Sequence, residues 1–165
     1  MAADKQNKSK SKSKSKVKIG EENQPGFAIE KLYIKDVSVE VPNSPEIFTS
    51  RETPKVTVEL SNETKPLADD FYEVSLQLTI TSKINEQTAF VVDLVQAGIF
   101  AIKNIPDEGL ESVLSITCPN ILFPYAREAI ANFTVKAGFN PVQLQPINFE
   151  ALYMQEKQKK DSKKS

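Results

Sequence analysis

The side chains that could do chemistry in this chain are carboxylates, lysines and tyrosines. There is no histidine, so the commonest general base and metal ligand is missing. The single cysteine, Cys118, cannot form an intrachain disulfide or build a zinc site of the usual Cys/His kind. The glycines form neither a Walker loop nor a G-x-G-x-x-G pattern. Asp69 and Asp70 are adjacent, but among turn residues, where turn formation explains them better than acid–base catalysis. Other carboxylates are spaced for recognition. Asp36 and Glu40 lie four residues apart in an alternating segment, so both leave one strand face, about 13–14 Å apart at the usual rise. Asp93 lies in a second apolar run, and Lys35 is expected on the face opposite Asp36. Such carboxylates can attract a basic segment. The chain therefore reads as a binding protein, with no catalytic residue, no metal and no cofactor.

Charge is unevenly spread along the 165 residues. Residues 1–20 carry seven lysines against one aspartate, with Lys and Ser alternating from Lys8 to Lys16. Residues 1–26 are expected to be a disordered tail, because they hold too little apolar surface to offset their ordering entropy. Residues 27–153 carry nine basic against seventeen acidic residues and form the expected folded domain. Residues 154–165 are expected to be a basic C-terminal tail. An acidic body disfavours nucleic acid as the main partner and favours a cationic protein. No apolar run is long enough for a membrane span, no secretory signal is apparent, and the cysteine usage suggests a cytoplasmic setting.

The elements that must position these residues read as strands first and helices second. Val37, Val39 and Val41 alternate with Asp36, Ser38 and Glu40. Pro42 to Thr53 is a long connector holding Ile47 and Phe48, which fit either the core edge or a functional loop. Val56, Val58 and Leu60 alternate next, and Phe71 to Thr81 is a clean strand. Ala89 to Phe100 is apolar on both faces, with Phe90, Val92 and Leu94 opposing Val91 and Val95. Such a strand needs cover on both sides, which a second subunit can supply.

Cys118 to Phe133 is the longest helical signal. Ile121, Leu122, Tyr125, Ala126, Ala129, Ile130 and Phe133 form its expected apolar stripe. Pro119 suits a first turn; at Pro124 the helix either begins or bends. Gly138 fits a helix end. Asn148 fits the N-cap of a short helix through Phe149, Leu152 and Tyr153, expected to fray beyond Gln155. The fold class is α+β: a four-stranded antiparallel sheet with two C-terminal helices on one face.

CPNILFPYARE from Cys118, Ala97-Gly98-Ile99-Phe100, Leu67-Ala68-Asp69-Asp70 and Pro146-Ile147-Asn148-Phe149 resemble the SecB family of bacterial export chaperones. The resemblance runs from about Phe27 to Tyr153. It implies a homotetramer, a dimer of dimers, that holds unfolded precursor proteins in apolar grooves and delivers them to the export ATPase SecA without using ATP. By motif match it implies client contact at Ile47, Phe48, Tyr125, Phe149, Leu152 and Tyr153, and SecA contact at Asp36, Glu40, Val91 and Asp93. It implies a subunit interface at Val92, Leu94 and Gln96. Family members often carry a tryptophan just before the proline that opens the second strand, where this chain has Glu52 and Thr53. Two other readings fit the residues: a SecB-like chaperone of an unstable antitoxin, and a carrier of a small apolar ligand.

Overall fold

The computed structural model describes residues 24–165. The expectation of a disordered tail falls mostly on residues 1–23, outside those described.

Four strands form one antiparallel sheet: β1 (Gly26–Glu40), β2 (Lys55–Pro66), β3 (Phe71–Ile84) and β4 (Gln87–Lys103), in the order β1-β4-β3-β2. A four-residue connection, 67–70, joins β2 to β3, and a two-residue turn, 85–86, joins β3 to β4. Asp69, Asp70, Asn85 and Glu86 all have positive φ, the left-handed backbone such turns require. Asp69 and Asp70 are therefore turn residues. Every second residue of β3 and β4 points to one face. Val74, Leu76, Leu78 and Ile80 stand beside Val92, Leu94 and Phe100 there, all fully buried.

A continuous helical stretch covers that face: α1 (Asp107–Ser112), a π-helical turn (Val113–Thr117) and α2 (Cys118–Lys136). The π turn contains Ser115, four residues before Pro119. A proline ring clashes with the carbonyl four residues back in a regular helix, and the wider turn relieves the clash. The helix then runs through Pro124. Leu122, Phe123, Ala126, Ala129, Ile130 and Thr134 face the sheet, whereas Tyr125 stands outward. Gly138 ends α2 with φ 96°; its N–H donates to Val135 O and that of Phe139 to Thr134 O.

The chain then returns along the helix. Thr134 Oγ1 accepts the Val142 N–H at 3.0 Å and fixes that return. Asn148 caps α3 (Phe149–Ser162), accepting the Ala151 N–H at 3.0 Å. The expected fraying beyond Gln155 does not occur. Glu156, Lys157, Lys159 and Lys160 are good helix formers, and Glu156 precedes Lys160 by one helical turn. Only Phe149 of α3 is buried, against Phe123. The helices thus share one side of the sheet, with α3 at the margin of the core.

Candidate functional sites on the two faces of the sheet

The register of β1 against β4 assembles the acidic surface. Glu40 lies opposite Val91, Ser38 opposite Asp93 and Asp36 opposite Val95, and opposed antiparallel residues share a face. Asp36, Glu40, Val91 and Asp93 therefore meet on the face away from the helices. Asp93 is anchored: its Oδ1 accepts from Gln77 Nε2 and Thr79 Oγ1, both at 3.2 Å.

Lys35 departs from expectation. The pairing of β1 shifts between Ile34 and Asp36, where a bulge puts one extra residue in the strand. Lys35 and Asp36 thus leave the same face and line one polar depression of about 480 Å³ with Glu63 and Gln77. The Lys35 ammonium pairs with Glu73 Oε1 at 2.6 Å, and the Tyr33 hydroxyl donates to the other Glu73 oxygen. These contacts hold the Glu73 carboxyl below its ordinary range, the Lys35 hydrogen bond most strongly. Burial, with the Glu73 carboxylate beside it, pushes Tyr33 up to about 12.

The interface assigned to Val92, Leu94 and Gln96 is not supported. Val92 and Leu94 are 0 % exposed beneath α2 of their own chain. The Gln96 amide donates to the Tyr33 carbonyl at 3.1 Å, next to the β1 bulge, where the ladder is interrupted. All three are on the helix-covered face, so a second copy cannot touch Val92 or Leu94 directly. The apolar surface left open on that face belongs to the edge strands: Ile29, Ile34 and Val39 on β1, Val56 and Val58 on β2.

The proposed client residues divide. Ile47 is 4 % exposed and plugs the core from the short helical turn Glu46–Thr49, and Phe149 is 3 % exposed; neither presents free surface. Phe48 and Tyr125 are each 50 % exposed, and Leu152 is 38 %. Leu152, Tyr153 and Phe149 line a narrow cleft of about 80 Å³ with Leu60 of β2 and Ser115 of the π turn. A wider cleft of about 350 Å³ runs farther along β2, between Val56, Phe90, Phe139 and Val142. Phe48 borders it by stacking on Phe139, ring centres 5.1 Å apart. Ser82 lines it too, its hydroxyl buried without a hydrogen-bond partner. Tyr125 lines neither cleft. Sequence reasoning missed Leu60, Val56 and Phe139; the alternation of β2 was visible, but not that its apolar face would border an opening.

Among the described residues, no three cysteine, aspartate or glutamate side chains converge as a metal ligand set. Among those residues, too, no helix is long and apolar enough to cross a membrane. Cys118 is buried, and desolvation pushes its thiol up to about 12.

A four-stranded sheet with its helices on one side, apolar clefts beside one edge and a carboxylate patch on the bare face invites comparison with known proteins. The family described as preprotein translocase subunit SecB matches residues 20–160. The chain belongs to the SecB family. The protein-export protein SecB of Methylobacillus flagellatus is 54 % identical over 84 % of this chain and 88 % of its own length. That of Dechloromonas aromatica is 55 % identical over 80 % and 87 %. Among solved structures, the Mycobacterium tuberculosis Rv1957 SecB-like chaperone, in complex with a ChAD peptide from the Rv1956 HigA1 antitoxin, aligns with a TM-score of 0.62 at 16 % identity. It covers 73 % of this chain and 90 % of that one, and at this identity it shows the SecB fold alone. The family match extends past the resemblance read from sequence, at both ends.

Proposed function

We propose that this SecB-family chain is an ATP-independent export chaperone, a binding protein rather than an enzyme. It holds unfolded precursor proteins in the cytoplasm and delivers them to SecA. The observation that carries the proposal is the line of open apolar surface along β2, from Leu60 and Leu152 to Val56 and Phe139. An unfolded client exposes apolar side chains and backbone donors. Clefts beside a sheet edge can take up both without reading sequence. A long client that meets several such clefts gains avidity by two or more decades at roughly millimolar effective concentration.

A homotetramer, a dimer of dimers, multiplies those clefts. The open apolar residues of β1 support self-association, since exposed patches of this kind usually mark an interface. Delivery to SecA is assigned to the Asp36, Glu40, Val91 and Asp93 surface, whose carboxylates suit a basic segment. Relatives about half identical to this chain are named protein-export proteins, which favours export precursors over an antitoxin as clients.

The test combines native mass with holding of an unfolded precursor. The tetramer is expected, and Val56→Ser with Leu152→Ser is expected to weaken holding while the protein stays folded. A stable monomer at micromolar concentration, or unchanged holding in the double variant, would refute the proposal. SecA binding is expected to fall in Asp36→Ala and to weaken as salt rises.

A further inference from the structure

The bulge in β1 creates a problem for a docking surface made of carboxylates. It puts a lysine and an aspartate side by side on one face, where the natural pairing of Lys35 is with Asp36. That pairing would neutralise the patch at its centre. The structure shows Lys35 drawn elsewhere. Its ammonium crosses β4 to reach Glu73 on β3, at 2.6 Å. The crossing is possible because Ala97 of β4, opposite both Tyr33 and Ser75, has almost no side chain to obstruct it. The other Glu73 oxygen accepts the Tyr33 hydroxyl, so both oxygens are engaged and the carboxylate is fixed in place. Lys65, opposite Glu73 on β2, reinforces its charge.

We propose that Glu73 is a positioning residue for docking: it holds the Lys35 ammonium away from Asp36 and leaves the carboxylates of Asp36, Glu40 and Asp93 open to a basic segment of the partner. Glu73 itself need not touch that partner. A merely structural role for the pair is a weaker explanation, because Lys35 is half exposed and pairs of that kind contribute little to stability. Gln77 and Thr79 act in the same direction, holding one Asp93 oxygen and leaving the other free.

Because docking at this patch is itself a reading proposed above, the experiment separates the two. Purified SecA is titrated at low salt against the full-length chain. Glu73→Gln keeps the side-chain shape and an acceptor for Tyr33 but releases Lys35. Binding is expected to weaken roughly threefold to fivefold, the scale of one exposed ion pair. Lys35→Gln added to Glu73→Gln is expected to restore wild-type binding. In an Asp36→Ala background, Glu73→Gln is expected to change nothing further. Client holding and native mass stay constant throughout. Wild-type binding in Glu73→Gln overturns the proposal. So does a loss that Lys35→Gln does not rescue, since Glu73 would then contact the partner directly. If Asp36→Ala alone binds like wild type, the docking reading is the one that fails. A crystal structure of Glu73→Gln then decides the fate of Lys35: a salt bridge to Asp36 supports sequestration, and a turn toward Glu63 overturns it.

Discussion

The ring of Phe48 lies directly over Gly138. A β-carbon built on Gly138 would stand 2.8 Å from Phe48 Cε1, closer than such contacts tolerate. The glycine thus does two things. Its φ of 96° closes α2, and its bare face seats the aromatic that borders the wider cleft.

Gly138→Ala should therefore act on both. The left-handed backbone makes any side chain unfavourable there, by roughly 1 kcal/mol. The clash with Phe48 adds displacement of the ring from Phe139. The expected outcome is a modest drop in melting temperature together with weaker client holding. Full holding by the folded fraction would show that Phe48 does not shape the cleft.

Leu94→Asp should unfold the chain rather than split an assembly. Leu94 is sealed beneath α2, and an unpaired charge buried there costs on the order of several kcal/mol. Circular dichroism and light scattering read the result together. A folded protein of reduced mass would return Leu94 to the subunit interface.

Ser82→Ala should stabilise. The Ser82 hydroxyl is buried with no hydrogen-bond partner, a situation that costs roughly 1–3 kcal/mol in similar cases. Removing the oxygen leaves the shape of β3 and the cleft wall almost unchanged. Denaturant melts are expected to shift to higher midpoint with the same slope; a lower midpoint counts against an unmet hydroxyl.

Acid should weaken the fold partly through Glu73. Its carboxyl is held below the ordinary value of 4.5 by Lys35 and Tyr33. A lowered folded value means that the ionised group stabilises fully above its unfolded value, and that this contribution is lost as pH falls through the lowered one. Glu73→Gln lacks that contribution. Because Lys35 is half exposed the deficit should be small, within about 1 kcal/mol at neutral pH, and it should close as pH drops below about 4.5. A gap that stays constant into acid would rule Glu73 out as a source of the acid limb.

Much of this arrangement was legible in the sequence, because alternation and apolar spacing follow directly from backbone geometry. The strands, the four-stranded sheet, the glycine end of α2 and the Asn148 cap were all readable. The acidic residues were correctly placed on one face, since Asp36, Ser38 and Glu40 lie after the bulge. Lys35 was misplaced because a bulge leaves no mark on residue types yet reverses every side chain before it. That Val92 and Leu94 lie on the helix-covered face was not legible, because β4 is apolar on both faces and alternation alone cannot say which one meets the helix. Tyr125 was read into the buried stripe and Phe123 left out of it. Spacing fixes that a helix has an apolar side, but not its rotation to within a residue step.

The strand order β1-β4-β3-β2 puts the carboxylate patch and the apolar clefts at opposite margins of the sheet and on opposite sides of it. One margin can be engaged while the other is occupied. Under the proposed roles of the two surfaces, a loaded carrier need not let go of its cargo in order to be recognised at its destination, and release becomes a separate event that follows arrival.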